Sequence, residues 1–188
     1  KTITHLLMFS GCRRGEIMGL KWSSVDFANN QTTIENSLLY EKDRGLYDET
    51  TKTGKKRTVK LPPETMALLR QYKAHQAENR LKCGDQWTAS EYVLTRDLGG
   101  PLHPNDCTIW LKRFADRHGL PHINPHAFRH PYASILIHEG IDIVTVSKTL
   151  GHERVSITTD IYAQLMEDAG DTALKCIADA ILGEKRNL

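Results

Sequence analysis

The 188-residue chain lacks the marks of several large protein classes. No apolar run approaches the roughly 18 to 20 residues needed to span a bilayer, so no membrane helix is predicted. No secretory signal pattern is visible. The four cysteines, Cys12, Cys83, Cys107 and Cys176, form no CxxC pair and stand far apart. That spacing argues against a disulfide framework or a cysteine zinc site, and points to reduced thiols in a cytosolic compartment. There is no internal repeat, low-complexity segment or clear linker. Charge of one sign is scarce in sum: the net is only +2, which neither demands nor excludes nucleic acid. An initial methionine is missing too. Lys1 leads straight into the amphipathic "ITHLLMF", the expectation being a fragment whose N-terminal part is absent.

What is present fits one domain with a sizeable core. The hydrophobic share of 39% and charged share of 26% are those of an ordinary globular protein. Basic residues cluster locally. "TKTGKKRTVK" (51–60) holds five Lys and Arg and no acid, and "LKRFADRHG" (111–119) is also basic. A solvated face is the plain reading of any such run.

Residues 3–9 read as a helix ended by Gly11, and "RRGEIMGL" begins another. "QTTIENSLLY" reads as a strand, "KDRG" and "KTGKK" as turns, and "RTVKL" as a second strand. Together they predict a small antiparallel sheet with Lys52 near a hairpin tip. Pro62 and Pro63 start a helix with Met66, Leu69 and Tyr72 on its apolar face. "EYVLT" is a candidate short strand. Pro104 opens a helix with Ile109, Leu111 and Phe114 as apolar positions. "IDIVTVSKTLGH" fits either strand or short helix, whereas "SITTDIYAQL" fits a helix begun by Ser156. Leu174, Ile177 and Ile181 mark a final amphipathic helix. The predicted class is α+β, mainly α-helical.

"NPHAFRHPYAS" (124–134) concentrates the chemistry. His126, Arg129 and His130 share a helix face by their spacing. A zinc reading uses His126 and His130 at i, i+4, but Ala127 stands where HExxH has glutamate, and Arg129 would oppose a dication. A structural reading has His126 capping or packing and Arg129 paired with a carboxylate. A third reading is oxyanion binding: an arginine fork matches phosphate, and histidine moves protons near neutral pH. Pro131 disfavours a continuous helix through His130. It predicts either that Pro131 lies in the first turn of a helix ending near His138, or that "PHAFRH" forms a separate turn before it. Elsewhere "SGCRRGE" offers Arg13 and Arg14, with Glu16 placed to hold the Arg13 guanidinium. "TKTG", "LGH" and "DIYAQL" offer Lys52, His152 and Tyr162. Taken singly, these residues do not decide among Tyr162, Tyr132 and the other tyrosines.

Their order is more specific. "SGCRRGEIMGLKW", "TKTG" with a strand after it, "HAFRH", "LGH" and then a tyrosine ten positions on resemble the tyrosine recombinases, the phage-integrase family. The resemblance runs from about Phe9 to Gln164 and is to the catalytic domain of an integrase from a phage or integrative element. It implies Arg13 as the first family arginine, with Arg14 only its neighbour and Glu16 as the supporting acid. It implies Lys52 as the hairpin lysine, His126 and Arg129 as the HxxR pair, His152 as the second histidine and Tyr162 as the nucleophile. The activity implied is DNA cleavage and rejoining through a 3′-phosphotyrosine, without metal, ATP or other cofactor. Lys55, Lys56 and Arg57 are the candidate DNA-backbone contacts.

Partners implied are double-stranded DNA at attachment sites, a homotetramer on that DNA, and accessory DNA-bending proteins of host or element. The setting implied is the cytoplasm of a bacterial host. Residues 1–188 would form one catalytic domain, with core-binding and arm-binding domains in the missing part. The tail, 166–188, would pack in cis or exchange between protomers. Pro131 stands where the family commonly has threonine or a similar residue. It motivates a second reading, a DNA-binding homologue with weak or lost cleavage. A zinc hydrolase built on His126 and His130 is the third.

Overall fold

Helix α1 (Thr2–Ser10) buries Leu6 and Leu7 and ends at Gly11, whose φ of +60° turns the chain into the left-handed region. A Cβ at Gly11 would lie 2.5 Å from the Tyr132 ring, so the close approach also requires glycine. The computed structural model describes residues 1–50, 54 and 56–166. Lys52, Lys55, Leu174, Ile177 and Ile181 lie outside the described residues, as does the Tyr162 side chain.

Helix α2 (Arg14–Met18) follows at once. Five strands come next: β1 (Val25–Asp26), β2 (Gln31–Ile34), β3 (Asn36–Glu41), β4 (Gly45–Thr50) and β5 (Arg57–Lys60). They form two antiparallel sheets, β1-β2-β5 and the hairpin β3-β4. "QTTIENSLLY" is therefore two strands in different sheets, divided at Glu35. The "KDRG" turn closes the β3-β4 hairpin as expected. The expected hairpin tip at Lys52 lies outside the described residues; of the strands on either side, β4 pairs with β3 and β5 with β2.

Helix α3 (Pro63–Cys83) starts on its proline and buries Met66 and Leu69. "EYVLT" contributes only isolated bridges, Lys21 with Tyr92 and Thr95 with Pro101. Helix α4 (Pro104–Arg117) buries Cys107, Leu111 and Ala115. Of its expected apolar positions only Leu111 is interior. Ile109 and Phe114 are exposed, because the inward stripe follows the spacing of 107, 111 and 115.

The "NPHAFRHPYAS" stretch splits as Pro131 requires. Asn124 caps a short 3₁₀ turn, Pro125–Phe128, its side chain accepting from the Ala127 N–H at 2.9 Å. Helix α5 (Arg129–His138) then begins, placing Pro131 in its first turn. An N–H there has no intrahelical partner, so proline costs little. The ambiguous "IDIVTVSKTL" is helix α6 (Ile143–Leu150). Asp142 decides it, accepting from the N–H groups of Val144 and Thr145 at 3.1 and 2.9 Å. Helix α7 (Ser156–Met166) carries Tyr162. The fold is thus α+β and mainly helical. Among the described residues no helix is long and apolar enough to cross a membrane.

Among the described residues, two apolar clusters organise the domain. The larger joins α1, α2, the β1-β2-β5 sheet, α3 and α4. The smaller packs α5 on α6 through Ala133, Ile137, Val146 and Leu150. Of the predicted site residues, Arg13 and Arg129 reach the end of α6 beside His152.

Candidate active site

The site grows from how α6 ends. Gly151 takes φ +66°, and the His152 N–H bonds back to the Ser147 carbonyl at 3.0 Å. This glycine-dependent closure accounts for the "LGH" order. It also leaves the carbonyls of Thr149, Leu150 and Gly151 without intrahelical donors. Three arginines from distant parts of the chain take them in succession. Arg57 Nε donates to Thr149 O at 3.0 Å, Arg129 Nη2 to Leu150 O at 2.7 Å, and both Arg13 Nη atoms to Gly151 O at 3.1 Å. Cations at the negative end of a helix are favourable, and here three share it.

Glu16 supplies the counter-charge. It is the third residue of α2 and only 2% exposed. Its carboxylate accepts the Arg13 backbone N–H at 2.8 Å and Arg13 Nη1 at 3.1 Å. Arg57 adds Nη1 at 3.0 Å and Nη2 at 2.6 Å. Four donors saturate one carboxylate. Burial alone would raise the Glu16 pKa, but the bonds from Arg57 and Arg13 outweigh it and hold the carboxyl below its ordinary value. The expected Arg13–Glu16 pair is therefore present, with a second arginine on the same acid.

Arg129 lies 3% exposed. Its Nη1 donates to Gly11 O at 2.6 Å, tying the end of α1 to the end of α6. Burial, then the like charge of Arg13, pulls its pKa down to about 10, so it stays a cation at neutral pH. The expected carboxylate partner for Arg129 is absent among the described residues; backbone carbonyls take that place.

The two histidines feel this charge. Burial, then Arg129, Arg13 and Arg57, pushes His152 down to about 4. Its Nδ1 sits 2.7 Å from the buried Thr158 hydroxyl on α7. Burial, then His130, Arg129 and Arg13, lowers His126 as well. Both imidazoles are therefore neutral at pH 7. His126 and Arg13 line one groove of about 470 Å³ together with Arg14, His103, Asn105 and Tyr40. A second hollow of about 510 Å³, also bordered by Arg13, reaches Glu49 and Thr50 at the end of β4.

The zinc expectation finds no support. The His126 and His130 rings stand edge to face with centroids 5.1 Å apart. Among the described residues no group of three or more His, Cys, Asp or Glu is placed to hold a metal ion. Pro131 is seated in the first turn of α5, after His126 and Arg129.

Two arginines stand differently from expectation. Arg57 is not an exposed backbone contact: its side chain is 11% exposed and its N–H groups are spent on Glu16, Thr149 O and the Cys12 sulfur. Lys56, by contrast, is exposed and pairs with Glu35. Arg14 bonds Asn105 Oδ1 at 3.1 Å and Thr108 Oγ1 at 2.9 Å on α4, both neutral groups, and forms no ion pair among the described residues. Strand alternation could have flagged Arg57 as inward, since Arg57 and Val59 share a face and Val59 is core. No sequence signal marks Arg14.

Comparison with known proteins places the chain in a family. The family described as "Phage integrase family" matches residues 1–168. A tyrosine recombinase XerC-like protein of Caldanaerobacter subterraneus is 29% identical, over 97% of this chain and 50% of its own length. The ICEBs1 integrase of Bacillus subtilis is 26% identical, over 88% of this chain and 45% of its own. The chain thus spans about half the length of the curated relatives it matches. Among solved structures, the Tn1549 transposon integrase in complex with transposon right end DNA aligns with a TM-score of 0.78 at 20% identity. That alignment covers 94% of this chain and 57% of the other. XerA recombinase aligns with a TM-score of 0.66 at 23% identity, over 98% and 58%. Five ordered motifs, a fold shared with two recombinases and a match over 1–168 lead to one assignment: the chain belongs to the phage integrase family.

Proposed function

We propose that residues 1–188 act as the catalytic domain of a site-specific DNA recombinase that cuts and rejoins strands through Tyr162. One observation carries this reading. Arg13 and Arg129, distant in sequence, converge on adjacent carbonyls beside His152, with His126 in the Arg13 groove. An arginine pair with neutral histidines suits a phosphodiester whose charge grows in the transition state.

In the proposed reaction the Tyr162 oxygen attacks the phosphorus and its proton passes to the neutral His126. A bond forms between tyrosine and the 3′-phosphate while the bond to the 5′-oxygen breaks. Lys52 donates the proton that makes the 5′-hydroxyl. Arg13 and Arg129 face the nonbridging oxygens. A guanidinium has five N–H groups, and Arg129 spends two on the carbonyls of Gly11 and Leu150. His152 donates from Nε2 when Thr158 donates to its Nδ1. The phosphodiester energy is kept in the phosphotyrosine, so a second 5′-hydroxyl reverses the step without ATP. Lys55, Lys56 and Arg14 contact flanking phosphates in this reading, and a homotetramer on two duplexes completes the exchange.

The test is covalent capture. Full-length protein incubated with genomic fragments should yield SDS-stable adducts whose sequencing defines the site, and Tyr162→Phe should yield none. Adducts formed by the phenylalanine variant would assign the nucleophile elsewhere.

A further inference from the structure

We propose that Arg57 is a positioning residue for strand cleavage, holding Glu16 and the α6 terminus so that Arg13 meets the phosphate. The inference rests on the recombinase reading above.

Arg57 borders neither of the two hollows described above, and its side chain is only 11% exposed, with its donors engaged by Glu16, Thr149 O and the Cys12 sulfur. It lies behind Arg13 and joins three elements. It is the first residue of β5, in register with Ile34 of β2. It gives two of the four hydrogen bonds that Glu16 receives. It also holds Thr149 O at the end of α6, and its guanidinium packs so closely under Gly151 that a Cβ there would lie 2.7 Å away. It is the first residue of a described strand after Lys52, five positions on.

The charges explain why the fork matters. The groups around Glu16 are Arg13, Arg57, Arg129 and the Cys12 thiol. Without Arg57, a nearly inaccessible carboxylate keeps only the two donors of Arg13. It then either draws Arg13 from Gly151 O or takes up a proton, and both change the face Arg13 offers. A lysine at 57 would keep the charge but lacks the planar fork by which Arg57 engages both Glu16 oxygens while its Nε holds Thr149 O.

The experiment uses the full-length chain, with the site defined by wild-type capture. Arg57→Met, Arg57→Lys, Glu16→Gln and the double variant R57M/E16Q are compared at saturating DNA. For Arg57→Met we expect a single-turnover adduct rate lower by on the order of 10²-fold, as for loss of a transition-state donor. Its DNA affinity should stay within about threefold of wild type, a small change beside the loss expected when phosphate contacts are removed. Arg57→Lys should be intermediate. R57M/E16Q should cleave faster than Arg57→Met, because it removes the unpaired carboxylate. The Glu16 carboxyl, followed by ¹³C NMR in glutamate-labelled protein and assigned with Glu16→Gln, should titrate at higher pH in Arg57→Met.

Cleavage by Arg57→Met at the wild-type rate overturns the proposal. So does an unchanged Glu16 titration, or a loss of affinity equal to the loss of rate in Arg57→Lys and the double variant. Absence of any wild-type adduct would instead remove the recombinase reading, while the Glu16 titration still tests the linkage.

Discussion

His126 and His152 work, in this reading, as neutral imidazoles inside a cationic site. Burial sets that condition first, and neighbouring positive charge, from Arg129 and Arg13 at both, reinforces it. A proton acceptor must be unprotonated before the attack. Because burial, His130 and the arginines hold His126 below 6.5, it stays competent in mildly acidic solution. The acid limb of the cleavage rate against pH should therefore have its midpoint below 6.5. Single-turnover adduct formation across pH 4 to 8, with a background of constant ionic strength, measures it. A midpoint at or above the ordinary histidine value would remove His126 from that role. Which histidines stand near arginines was readable from the motif order. Alternation with Val59 could have marked Arg57 as inward, but not as joining them, because only the tertiary structure brings β5 beside Glu16 and the end of α6.

At the scale of elements, the C-terminus of α6 holds the site. Its sequence alternates like a strand, yet the Asp142 cap and the Gly151 stop make it a helix. Gly151→Ala should cost more than the roughly 1–2 kcal/mol of a left-handed alanine, because its Cβ also meets the Arg57 guanidinium. Gly140→Ala is the control. Gly140 has φ +79° but nothing within 4 Å of an added Cβ, so only the backbone cost applies. Urea unfolding of both variants should show the larger loss at 151; equal losses would mean that Arg57 yields freely. The split of "NPHAFRHPYAS" into a turn and α5 was legible, since proline's missing N–H permits few positions. The division of "QTTIENSLLY" between two sheets was not, because no glycine or proline marks a break at Glu35 and only partner strands tell the two halves apart.

Across the whole molecule, one larger and one smaller core meet at the arginines, so folding and site assembly are linked. The histidines impose a direction. Folded His152 titrates at about 4, whereas an unfolded histidine titrates near its ordinary 6.5. Between those values the unfolded chain binds a proton that the folded chain refuses. Stability therefore falls as pH drops from about 6.5 toward 4. Glu16 adds a further loss at lower pH, where its depressed pKa is reached. Denaturant titrations of wild type and His152→Gln at pH 7 and 5 should show a smaller drop for the variant; equal drops would place the proton uptake elsewhere.

By itself the sequence determined the family, the mainly helical class and the identities of the reactive candidates, because residue types at set spacings survive without coordinates. It also determined where the chain must turn, through Gly11, Pro131 and Gly151, since glycine and proline act on local dihedral angles. Only the tertiary structure decided what each arginine holds. Arg13, Arg57 and Arg129 reach neighbouring carbonyls of one helix end from three different elements. A contact between distant residues depends on how two cores pack, and no local pattern in the chain records it.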